Sequence, residues 1–93
     1  MNVKKITAST NAVLSGKYRI VRVRLVAAAD AATAILWDAA TYGAATGEFC
    51  KLSASAANTI DKENWAMFEG LMTTTGLSVT ITGTTPSLFI YYA

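Results

Sequence analysis

The stretch GLSVTITGTTPSLFIYYA, residues 76–93, decides the reading of the fold. Leu77, Val79 and Ile81 alternate with Ser78, Thr80 and Thr82. A strict period of two is the mark of a strand with one buried and one wet face. Gly83-Thr84-Thr85-Pro86 interrupts it, and Ser87–Tyr92 starts a second strand of aromatic and β-branched residues, which fill a pleated half-buried surface well. Two strands around a short Gly/Pro loop read as a hairpin. In it Leu77, Val79 and Ile81 are expected to face the core and Ser78, Thr80 and Thr82 to face solvent. Pro86, lacking an N–H, is expected at the start of the last strand, where no ladder bond is lost.

Working outward, the same pattern recurs. Val21, Val23 and Leu25 alternate with Arg22 and Arg24 in Lys17–Ala27, while Tyr18 and Ile20 sit on the opposite parity, which calls for a bulge near Ile20 or for two partly buried faces. Ala32–Asp38 reads as a strand antiparallel to Lys17–Ala27 across a turn at Asp30. Alanine propensity also permits a helix through Ala27–Ala40. Val3–Thr7 suits an edge strand blunted by Lys4 and Lys5, Ser9-Thr10-Asn11 is turn chemistry, and Ala12–Leu14 is a short extended piece. Glu48–Ser53 is a further strand after a loop punctuated by Gly43 and Gly47. Asp61–Met72 fits a helix capped by Asp61 or a strand equally well. Turn signals about every 8–12 residues, with no fixed repeat or linker, imply one all-β domain: a small antiparallel β-sandwich over residues 1–93.

The chain has 93 residues, 53% of them hydrophobic, and many of these are alanine. Alanine buries little area, so the core leans on large side chains. The candidates are Ile20, Val23, Leu25, Ile35, Trp37, Phe49, Leu52, Trp65, Phe68, Leu71, Leu77, Val79, Ile81, Leu88 and Ile90. Small domains are often stabilised by oligomerisation, and a charged fraction of only 15% suits a surface covered by neighbours. The net charge of +2 lacks the clustered basic footprint of a nucleic-acid binder. No apolar run approaches membrane-spanning length, and no apolar segment of a leader follows Lys4 and Lys5. With a single cysteine, Cys50, assembly in a reducing cytoplasm is the simplest expectation.

The absence of histidine removes Ser-His-Asp and Cys-His arrangements and most zinc and iron sites. No glycine constellation matches a phosphate loop. Asp30, Asp38, Glu48, Asp61, Glu63 and Glu69 read as solvated loop or edge carboxylates rather than a catalytic pair or a calcium site. Cys50, on a strand, reads as a buried thiol. No catalytic, cofactor or metal residue is therefore expected. Arg22 and Arg24 share a strand face, where a solvated face competes with contact to an acidic patch on a partner. Tyr42, in a loop, and Tyr91 are the aromatics most suited to an interface, where such residues are enriched.

Ile35-Leu36-Trp37-Asp38, the small-residue loop, the strand Glu48–Leu52, the run Thr75–Gly83 and the closing Leu88-Phe89-Ile90-Tyr91-Tyr92 form a layout over Lys17–Ala93. It resembles the small β-sandwich structural proteins of tailed bacteriophages, found as capsid decoration (cement) or other virion components. Trp37 and the Met67–Met72 run depart from the pattern. The resemblance implies an extended Trp65–Thr73, a virion location, no enzymatic activity and no cofactor. It also implies self-association about a three-fold axis and the major capsid protein as partner; Arg22, Arg24, Tyr42 and Tyr91, singled out by residue type and by position in a strand or loop, are the candidate interface residues. A carbohydrate-binding or adhesion module on a tail or fibre, presenting Tyr42 and Tyr91, is the alternative.

Overall fold

The computed structural model describes residues 2–44, 46–65 and 71–93. Nine strands, and no helix among the described residues, run β1 (Asn2–Ile6), β2 (Thr10–Ser15), β3 (Arg19–Val26), β4 (Ala32–Asp38), β5 (Glu48–Ala54), β6 (Ile60–Asn64), β7 (Leu71–Met72), β8 (Gly76–Thr82) and β9 (Ser87–Tyr92). They form two antiparallel sheets: the first in the order β1-β9-β3-β6, with β7 also on β3, and the second in the order β2-β8-β4-β5. The extents of 33 × 29 × 18 Å leave a thin dimension that suits two sheets stacked about 10 Å apart. The expected sandwich is therefore present. Val3–Thr7 was expected as an edge strand, and β1 is one.

Two expected pairings are overturned, and in the same way. Residues 76–93 do not make a hairpin: β8 pairs with β2 and β4, and β9 with β1 and β3. Nor does Ala32–Asp38 pair with Lys17–Ala27, since β4 pairs with β5 and β8. Each connection arches from one sheet to the other, and the two arches are bound together. The Asp30 carboxylate accepts hydrogen bonds from the Thr84 N–H at 2.7 Å and the Thr84 hydroxyl at 3.0 Å. Gly83, at φ +116°, lies so close to the first arch that a Cβ would sit 2.8 Å from the Ala31 carbonyl oxygen. Pro86 is buried just ahead of β9, as its missing N–H requires.

The core is formed by the inward parity of both sheets. Ile20, Val23, Leu25, Leu88 and Ile90 from the first sheet meet Leu36, Leu52, Leu77 and Val79 from the second. In β4 the inward residues are Ala32, Ala34 and Leu36, so Ile35 and Trp37 lie on the outer face, half-buried, against expectation. Alanines 27, 32, 34 and 54 are core residues, together with Val13, Leu14 and Cys50. Phe49, Trp65 and Ile81 pack on the core while partly exposed. The bulge expected near Ile20 is present: Ile20 pairs with Tyr92 and Arg22 with Tyr91, leaving Val21 as the extra residue.

Ser78 also departs from expectation. It is fully buried, because β2 and the loop after β4 cover it. Its hydroxyl accepts from the Ala12 N–H at 2.9 Å and donates to the Ala39 carbonyl at 2.8 Å. Thr80 and Ile81 are half-buried and Thr82 is exposed. Ser9-Thr10-Asn11 straddles the start of β2 instead of forming a separate turn, and the Ser9 hydroxyl bonds both the N–H and the carbonyl of Ile81. The Asp61–Met72 ambiguity resolves to strand at Ile60–Asn64 and at Leu71–Met72. Residues 66–70, including Phe68 and most of the segment that the resemblance makes extended, lie outside the described residues.

Candidate functional site

The outer face of the first sheet gathers three of the four expected interface residues. Its geometry follows from register, because directly opposed residues in an antiparallel ladder share a face. One cross-strand row reads Val3, Tyr91, Arg22, Asn64, and the next reads Lys5, Phe89, Arg24, Lys62. Leu88 and Ile90 point into the core, so Phe89 and Tyr91 point out. The Arg22 guanidinium lies 4.1 Å from the Tyr91 ring centroid and Arg24 lies 4.9 Å from that of Phe89. The Lys5 ammonium is 5.9 Å from the same Phe89 ring. A cation over a ring face is attracted by the ring's quadrupole. The rings thus hold both arginines on the sheet, which lowers the side-chain entropy they would lose on meeting a partner.

This face carries four cations, Lys5, Arg22, Arg24 and Lys62, and by register none of the described carboxylates. Asp61 and Glu63 stand opposite Leu25 and Val23, on the core side of β6. Among the described residues, no hydrogen-bond partner reaches the buried Nε of Arg24. Tyr42 does not join the group. It lies in the loop between β4 and β5, 42% exposed, with its N–H donating to Asn11 Oδ1 at the second sheet. Phe89, Lys5 and Lys62 escaped the sequence reading. The alternation of Leu88 and Ile90 with Phe89 and Tyr91 placed both rings on one face, but only the register of β1 and β6 brings the lysines beside them.

The described carboxylates with hydrogen bonds serve the backbone. Asp38, at the end of β4, accepts from the N–H groups of Thr74, Thr75 and Gly76 at 2.9–3.1 Å and from the Thr74 hydroxyl at 3.0 Å. Burial works against its charge, but these donors outweigh that and hold its pKa below the ordinary value of 3.8. Asp61 accepts from the Ser53 N–H at 2.8 Å, and Asp30 binds Thr84. Burial, with Glu63 and Asp61 nearby, pushes the Cys50 thiol up to about 11, so it stays protonated at neutral pH. Among the described residues, no cluster of His, Cys, Asp and Glu side chains is placed to hold a metal ion. Among the described residues, no helix is long and apolar enough to cross a membrane. The chain matches no family model, no curated protein and no solved structure.

Proposed function

We propose that this chain is a non-enzymatic structural component of a virion: a capsid decoration protein that self-associates as a homotrimer and stabilises the shell. The observation that carries the reading is the cationic, aromatic outer face of the first sheet, with Arg22 and Arg24 seated on Tyr91 and Phe89 and no described carboxylate among them. Arginine and aromatic residues are the types enriched at protein interfaces, and arginine pairs carboxylates through two parallel hydrogen bonds. A molecule extending 33 × 29 Å across its sheets offers more than the ~800 Å² that each partner contributes to a stable complex. The partner it suits is an acidic patch of the major capsid protein. The engagement of Asp30, Asp38 and Asp61 by backbone donors supports a structural role over catalysis.

Co-sedimentation with shells assembled from the major capsid protein of the same genome tests the reading. Stoichiometric binding is expected, weakened severalfold by Arg22→Gln with Arg24→Gln and by added salt. No binding at micromolar concentrations overturns it. The second reading, a carbohydrate-binding module on a tail or fibre, rests on Trp37, half-buried on the outer face of the second sheet, and on the exposed Tyr42. Glycan-array binding abolished by Trp37→Ala would favour it.

A further inference from the structure

The lateral edges of the first sheet carry opposite charge. At one edge β1 pairs with β9 in five unbroken positions, Asn2↔Tyr92 to Ile6↔Leu88, and no strand lies on its other side among the described residues. The other edge of the sandwich on this side, β2, is interrupted by a register shift and by Ala12 at φ 50°. Such bulges discourage strand addition, whereas β1 is regular and its lysines disfavour every added strand but one that carries carboxylates. At the far edge of the first sheet lies β6. Lys4, opposite Ile90, points to the core-side rim of β1, and Asp61 and Glu63, opposite Leu25 and Val23, point to the core-side rim of β6. Exposed apolar side chains flank the same edges: Val3 on β1, Ile60 on β6 and Met72 on β7, each more than half exposed, at 52%, 56% and 53%.

Pairing β1 with β1 of a second copy sets lysine against lysine, and pairing β6 with β6 sets carboxylate against carboxylate. Like charges directly opposed destabilise a ladder. Only β1 with β6 brings opposite signs together. The strand directions permit it: the ladders β1–β9, β9–β3 and β3–β6 are all antiparallel, so β1 and β6 run in opposite directions. A neighbouring copy turned about an axis along the strands therefore presents its β1 antiparallel to β6.

We infer that copies of this chain join head to tail, with β1 of one adding to β6 of the next and continuing the first sheet across the junction. Charge selects the register. Lys4 stands opposite Asp61, Asn2 opposite Glu63, Lys5 opposite Ile60 and Val3 opposite Lys62. Shifting by two residues would place Lys5 against Lys62. A head-to-tail interface closes into a ring where the rotation permits, and the cationic rows then continue around its outer surface. This deepens the self-association part of the proposed function and does not depend on the shell.

The test is disulfide trapping in the full chain. Lys5→Cys with Ile60→Cys, both on exposed positions, should oxidise to a covalent oligomer of one size, while either single variant should not. The native Cys50 does not compete, being buried. Light scattering should give the same size for the unmodified chain, and Lys4→Glu should raise its half-association concentration about fivefold, the equivalent of ~1 kcal/mol for a reversed cross-strand pair. Circular dichroism of each variant establishes that it is folded. A chain that stays monomeric at its solubility limit overturns the inference. So does a dimer trapped by Lys5→Cys alone, which would mean β1–β1 pairing. Shell binding, read separately through Arg22 and Arg24, tells failure of this junction from failure of the virion reading.

Discussion

Replacing Asp38 should unfasten one end of the second sheet. Its carboxylate gathers the N–H groups of Thr74, Thr75 and Gly76 and the Thr74 hydroxyl, so the turn into β8 closes on the end of β4. Asp38 is further anchored by its own N–H, which donates to the Gly47 carbonyl at 2.8 Å. Losing a single side-chain cap costs about 0.5–2 kcal/mol, and hydrogen bonds to a charged group reach about 1.5–3 kcal/mol. Thr74 and Thr75 are exposed, so water recovers part of the loss. Asp38→Ala should therefore cost about 2–3 kcal/mol, and Asp38→Asn, which keeps one acceptor oxygen, about 1–2 kcal/mol. For a domain of this size that lowers Tm by roughly 10–20 °C for the alanine variant. The sign of the pH dependence follows from the depressed pKa. The carboxylate's contribution is fully present above 3.8, its ordinary value, and is lost as pH falls through the folded value. Urea unfolding of the parent and both variants, from neutral pH down past 3.8, measures it. The gap between parent and Asp38→Asn should narrow as the pH drops. A gap that stays constant with pH, or an Asp38→Ala cost under about 0.5 kcal/mol, would refute the role given to this carboxylate.

Three further outcomes follow from the packing. Ser78→Ala, which leaves the Ala12 N–H and the Ala39 carbonyl without their buried partner, should cost about 1–3 kcal/mol. That is comparable to Val79→Ala and larger than Thr80→Ala, which loses one bond from Trp37 Nε1 and should stay within about 1 kcal/mol; denaturant midpoints rank the three. Gly83→Ala meets the Ala31 carbonyl at 2.8 Å in a left-handed backbone, so it should destabilise by about 2 kcal/mol or more in the same assay, while Gly16→Ala, with open space at its Cβ, should cost less. Cys50 should resist thiol reagents in the native state at pH 8 and react at once in denaturant; fast native labelling would contradict its burial and its pKa of about 11.

The sequence alone determined what depends on neighbours along the chain. Period-two alternation and β-branched or aromatic content assigned strands at 17–27, 32–38, 48–53, 76–82 and 87–92, which the structure holds to within two residues at each end, and the parity change at Ile20 offered a bulge as one of two readings, the one observed. The face shared by Arg22 and Arg24 was legible for the same reason: residues two apart on a strand lie on one side. Which strands become neighbours was decided in three dimensions. A four- or five-residue connection such as Gly83–Pro86 or Ala27–Ala31 suits a hairpin and an inter-sheet arch alike. What selects the arch is distant: Asp30 binding Thr84, and Gly83 fitting against Ala31. The same holds for burial. Ser78 reads as a wet-face residue until β2 and the loop after β4 cover it, and Ala32 and Ala34, too small to count among the core candidates, become core residues only because the opposite sheet packs on them. The cationic face completes the contrast. Two of its four cations are local in sequence, but Lys5 and Lys62 reach it only because β1 and β6 flank β9 and β3, a placement set by long-range pairing that no local pattern encodes.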